Sequence, residues 1–238
     1  MALRLSVSIV LLCALVGFMT SCAGPEKRAD SSATGPGAPP ELETIGERAP
    51  QIVMAAADGN WPQVRAYVKN ICAAWQEYKY PTVAPVSCRR PPAALFRGPL
   101  DGAMFRLRYA AGKGQAAETM QAAHEVEAAT LKMFEYYAPT TPLDLRRLRM
   151  LEGRIVLNAA QDKMSPASDA FDEVRSAWGR VRPTIAESRP DALAAFEDSL
   201  SAQQAALNKP DLAALAACAR QAITAINGMQ RLPYAARK

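Results

Sequence analysis

The sequence predicts an all-α fold of about eight amphipathic helices, paired as antiparallel hairpins in a bundle or a short helical array. Three observations carry that reading. Hydrophobic residues make up 50% of the chain but aromatics only 7%, and alanine, which loses no side-chain entropy in a helix, supplies much of the difference; runs of β-branched and aromatic residues that would favour sheet are scarce. Apolar residues recur in steps of three and four, which places them on one face of a helix. Polar breaks at Asp58-Gly59-Asn60, Gly112-Lys113-Gly114, Asp162-Lys163 and Asn208-Lys209 recur about every 50 residues, each between two helical runs.

The first stretch stands apart from the fold. Arg4 precedes an apolar run from Leu5 to Met19, long enough for an export signal and short of the roughly 20 residues a membrane span needs. The run ends in Met19-Thr20-Ser21-Cys22. This resembles the lipobox of bacterial lipoproteins, in which small residues precede a cysteine that becomes the acylated N-terminus; Met19 stands where Leu, Val or Ile is usual. The resemblance covers only the first two dozen residues. It implies a signal peptide over residues 1–21, cleavage before Cys22 and a membrane anchor through lipid on Cys22. Ala23 follows, rather than the Asp that marks inner-membrane retention in many such proteins, so the resemblance implies an outer-membrane address facing the periplasm rather than the inner membrane. An ordinary secretory peptide with an incidental cysteine is the competing reading.

Residues 22–41 comprise the cysteine and a Pro-, Gly- and Ser-rich segment without apolar periodicity, expected to form a disordered tether. The helical domain is expected over residues 42–238, with a division into two sub-bundles near 81–98 as an option. Val64, Val68, Ile71, Trp75 and Tyr78 make one stripe, and Phe171, Val174, Trp178, Val181 and Ile185 a second. Leu193, Phe196, Leu200 and Leu207 make a third; Leu212, Leu215, Ala219, Ala222 and Ile226 a fourth. Gly98-Pro99-Leu100-Asp101 is expected to open the helix after the proline-rich connector, and Thr141-Pro142-Leu143-Asp144 has the form of a capping box. Ser188-Arg189-Pro190-Asp191 is similar, and Pro183 is expected to kink or end its helix. Ile71-Cys72-Ala73-Ala74-Trp75 is echoed by Val174-Arg175-Ser176-Ala177-Trp178, which raises internal duplication as an expectation.

Cysteine usage fits an exported chain. With Cys13 removed and Cys22 lipidated, Cys72, Cys88 and Cys218 remain. A Cys72–Cys88 disulfide would close a loop of roughly 15 residues and contribute about 3 kcal/mol; pairings with Cys218 stay open.

The candidate chemistry is thin. His124 is the only histidine, which rules out multi-imidazole zinc sites within one chain and paired Glu-x-x-His di-iron sites. No Gly-x-Ser-x-Gly elbow accompanies it, and Gly112-Lys113-Gly114-Gln115 lacks the spacing of a phosphate loop. In Ala123-His124-Glu125-Val126-Glu127 the imidazole and the Glu127 carboxylate lie three residues apart, neighbours on a helix that could meet at one metal ion. The motif is similar to the His-x-x-Glu of the imelysin family of iron-related exported helical proteins, over four residues only. A boundary histidine bonded to a nearby carboxylate is the alternative. Glu127, Asp144 and Glu152 are expected in ion pairs with Arg146, Arg147, Arg149 and Arg154, because interior carboxylates are costly unless paired. The scattered methionines and Trp61, Trp75 and Trp178 read as core. A formal net charge of +5, dispersed along the chain, gives no basic stripe for nucleic acid.

These features point to a membrane-anchored cell-envelope lipoprotein with a non-catalytic role, binding an envelope protein or stabilising an assembly, with no cofactor. A periplasmic carrier of a ligand or metal in a groove between helices, with His124 and Glu127 contributing, is the alternative.

Overall fold

The computed structural model describes residues 37–81, 93–137, 143–188 and 190–230. Among them are eight helices: α1 (Pro40–Ala57), α2 (Trp61–Lys79), α3 (Ala93–Lys113), α4 (Ala116–Phe134), α5 (Leu143–Ala160), α6 (Met164–Ser188), α7 (Pro190–Asn208) and α8 (Leu212–Gln230). The expected signal peptide, Cys22 and most of the expected tether lie outside the described residues, as does Cys88.

The helices close into two rings. In the first, α1 packs on α2, α2 on α3, α3 on α4 and α4 back on α1; in the second, α5, α6, α7 and α8 repeat the circuit. The rings join where α5 packs against α4 and α1, so one ring gives way to the next at the connection 138–142 rather than within 81–98.

The two rings are in register. Shifting α1 (Pro40–Ala57) by 103 residues lands on α5 (Leu143–Ala160), and the first residue of α2 then coincides with the first of α6. The turns between them share their principal backbone bonds. The Asn60 amide reaches the Ala55 carbonyl at 2.8 Å and the Lys163 amide the Asn158 carbonyl at 2.9 Å. Gly59 and Asp162 hold the left-handed position at φ +68° and +55°. Trp75 and Trp178, the anchors of the sequence echo, are both buried at corresponding sites.

Local signals explain the helix starts. Pro40 sits in the first turn of α1, where its missing amide costs nothing, with Glu41 and Glu43 beside the helix N-terminus. The Asn60 side chain caps α2 by accepting from the Gln63 amide, and Asp211 caps α8 by accepting from the Ala214 amide at 2.9 Å. All five α2 stripe residues and all five of the α6 stripe are buried; in α7 only Phe196 of the four stripe residues is fully so, and in α8 Leu212 is only partly buried.

Three expectations are corrected. α1 begins at Pro40, inside the segment assigned to the tether, because Leu42 and Ile45 already face the core. α3 begins at Ala93, so Gly98-Pro99 lies within the helix and does not open it. Pro183 does not end α6, which continues to Ser188 with Ile185 buried against the core. A proline inside a helix removes one hydrogen bond, and tertiary burial on both sides of it outweighs that loss.

α5 is the centre of the molecule, touching α1, α4, α6 and α8. It is buried nearly all round, and its interior positions include Arg146, Arg149 and Glu152.

Candidate functional site

Two charged clusters come from α5. Arg146 is ion-paired with Glu43 of α1, and its guanidinium lies 4.0 Å from the centroid of the Phe134 ring. Arg149 donates to the Gly46 carbonyl at 2.7 Å and to the Gln230 side chain at 3.0 Å, with its Nε 3.6 Å from a Glu127 oxygen. That last contact is an ion pair longer than a hydrogen bond. Burial pushes the Glu127 carboxyl up to about 7, against the pull of Arg149. On the Glu127 side of this cluster lies a cavity of about 10 Å³, room for at most one water.

Glu152 departs from the expected ion pairing. Among the described residues it has no arginine partner; its carboxylate accepts from the Gln203 amide of α7 at 3.3 Å, and burial pushes it up to about 8. Asp144 lies 3.5 Å from Arg147 within α5 itself rather than across helices, and Arg154 pairs with Glu173 of α6 at 2.7 Å instead of with one of the expected carboxylates.

His124 and Glu127 do not share a charged neighbour. His124 is largely enclosed; burial pushes its imidazole down to about 4, Arg154 adds to that and Glu125 opposes it, and its Nδ1 has no hydrogen-bond partner. Glu127 is held by Arg149. Among the described residues no group of three or more His, Cys, Asp or Glu side chains could hold a metal ion. Cys72 is half-buried on α2, and burial raises its thiol pKa.

The surface offers a different feature. Phe105 and Tyr109, one turn apart on α3, are 70% and 59% exposed. They border a groove of about 590 Å³ on the α3–α4 hairpin, whose floor includes Ala110, Ala117 and Ala122 and whose far edge is Lys163 in the α5–α6 turn. Arg106 spans the hairpin, donating through Nε and Nη2 to Glu125 at 3.0 and 2.6 Å. Burial raises the Glu125 carboxyl pKa, but the hydrogen bonds from Arg106 and Gln121 outweigh it and hold it below the usual range. With Glu125 so engaged by Arg106, Glu118 and Lys163 are the remaining charged side chains that line the groove. The Lys113 ammonium lies 5.9 Å from the Tyr109 ring centroid. Single exposed apolar residues are ordinary, but two aromatics over a groove with a polar rim mark a surface suited to covering by a partner.

The chain matches no family model, no curated protein and no solved structure. Among the described residues no helix is long and apolar enough to cross a membrane.

Sequence reasoning pointed to His124 and Glu127 and passed over Phe105 and Tyr109. The signal for them was present: in α3 Leu100, Met104 and Leu107 form one stripe, leaving the two aromatics on the opposite side.

Proposed function

We propose that this chain is a lipid-anchored protein of the cell envelope with a non-catalytic role, holding a partner protein on the α3–α4 face. The observation that carries the reading is the outward pair Phe105 and Tyr109 over a groove edged by Lys163, with the Lys113 ammonium beside Tyr109. The partner that suits it is an envelope protein presenting apolar side chains flanked by carboxylates, the apolar contacts supplying affinity and Lys113 and Lys163 the orientation. The interior polar groups support a non-catalytic role, since Arg146, Arg149 and Glu152 bond to other parts of the fold. Support for the anchor is the sequence before Cys22, and Ala23 favours the outer membrane facing the periplasm.

Two variants test the halves of this reading separately. Cys22→Ser abolishes labelling by a palmitate analogue and moves the protein from the membrane to the soluble fraction; unchanged fractionation without label removes the anchor. Lys163→Glu weakens association with the partner while leaving Cys22 labelling intact; unaltered association removes the docking face.

A further inference from the structure

We infer that the cleft between α1 and α8 is a binding site for a neutral oligosaccharide, independent of the α3–α4 face. The cleft exists because the rings do not repeat each other fully. α4 packs along α5, but the seam related to that one by the 103-residue shift, between α8 and α1, stays open as a groove of about 550 Å³. That volume lies in the range of small-molecule sites.

Both ends of the cleft are bridged. At one end the Arg220 guanidinium lies 3.4 Å from Asp58, and at the other the Gln230 side chain accepts from Arg149 at 3.0 Å. The ten residues of α8 between the bridges run about 15 Å. The opening is therefore a bounded slot rather than a loose seam.

The lining selects the chemistry. Carboxamides of Gln51, Asn227 and Gln230 face the slot, each with donors and an acceptor. The Gln51 oxygen is taken by Arg48 at 2.7 Å, leaving its amide hydrogens. Among the described residues Gln230 Nε2 is buried with no hydrogen-bond partner, a donor at the end of the slot that a turn of the carboxamide would present to a ligand. Met54 and Ile223, one turn nearer the Asp58–Arg220 end, add apolar surface beside these groups.

Most charges around the slot are matched within the protein: Arg146 with Glu43, Arg149 with Glu127, Asp58 with Arg220, while Glu47, which also lines the slot, acts on Arg146 through its charge. Little net field is left to select an ion. A wall of mixed donors and acceptors beside apolar surface is met by hydroxyl groups, which both donate and accept, on a ring whose carbon–hydrogen face is apolar. The slot accommodates about two or three such rings.

Calorimetric titration of the mature chain with maltotriose and with triacetylchitotriose, each to about 10 mM, tests the assignment. The expected result is saturable binding of at least one, weakened about tenfold or more by Asn227→Leu and by Gln51→Leu, with melting temperature unchanged and with no effect of Lys163→Glu on the sugar binding. Absence of saturable binding for both sugars overturns it, as does binding that the two cleft substitutions leave intact. Tighter binding of tetra-alanine would make the cleft a peptide site and also overturn it.

Discussion

The Arg149 guanidinium hydrogen-bonds the Gly46 carbonyl at 2.7 Å, supplying the donor that Pro50 cannot. In a helix the Gly46 carbonyl would accept from the residue-50 amide, and proline has none. Under the 103-residue shift Arg149 is also the counterpart of Gly46, as Arg146 is of Glu43. Residues that touch their own counterparts lie on a two-fold axis. The α1–α5 contact is therefore the pivot of the whole molecule, built from polar side chains on a helix otherwise packed with apolar ones.

Removing Arg149 should expose that dependence. Arg149→Met strands Glu127 and the Gly46 carbonyl, and a loss of about 3–5 kcal/mol is expected from leaving a buried charge unpaired. Pro50→Ala restores the helical amide, so the loss from Arg149→Met should be smaller in the Pro50→Ala background. Urea unfolding of the four proteins checks this; strictly additive effects would mean that the two residues do not serve the same carbonyl.

Gly46 is fixed by space rather than by backbone angle. A Cβ there would lie 2.7 Å from Phe134 Cε2 and 2.8 Å from Arg146 Nη1, both held in the α1–α4–α5 contact. Gly46→Ala is expected to destabilise by about 1–3 kcal/mol despite the better helix propensity of alanine. A raised melting temperature would show that the contact yields.

Glu152 gives the fold a pH dependence. Burial raises its pKa from the ordinary 4.5 to about 8, and Glu152 Oε2 and Gln203 Oε1 both lack partners. A proton on Oε2 is the donor that Gln203 Oε1 needs, closing a two-bond acid–amide ring. Because the folded pKa is the higher one, this stabilisation is complete below about 4.5 and is lost as pH rises through about 8. Glu127, raised to about 7, acts in the same direction. His124, lowered from 6.5 to about 4, acts oppositely, its contribution complete above 6.5 and lost as pH falls through 4. Stability should therefore fall from about pH 4.5 to about 8, most steeply just above 6.5 where His124 no longer opposes the two carboxyls, by up to about 1.4 kcal/mol per pH unit for each net proton involved. Glu152→Gln keeps an amide partner for Gln203 and should flatten much of that slope; an equally steep slope in the variant would place the titration elsewhere.

Much of the fold was legible in sequence because α2 and α6 carry one clean stripe each and the turns are polar. Trp75 and Trp178 even exposed the internal repeat. α5 was harder to read: Arg146 and Arg149 looked like flanking cations, and only the tertiary structure sets Arg149 against a carbonyl that a proline 99 positions earlier leaves unbonded. Glu152 was expected beside arginine, but its partner, Gln203, carries no charge pattern to announce it. α3 presents apolar residues on two sides, and periodicity does not say which side is covered, so Leu107 went inside and Phe105 out for reasons that lie in α2 and α4. His124 and Glu127 had the right spacing for a shared ion, yet Arg149 and Arg154 of α5 became their neighbours.

The docking face is tested most directly by photo-crosslinking in intact cells, with a photoreactive residue placed at Phe105, at Tyr109 and, as a control, at exposed Arg175 on α6. The account predicts one discrete adduct from both α3 positions, none from Arg175, and loss of the adduct on adding Lys163→Glu while the protein's folding, read by its urea midpoint, stays within about 0.5 kcal/mol. No adduct from α3, or the same adducts from all three positions, would contradict it.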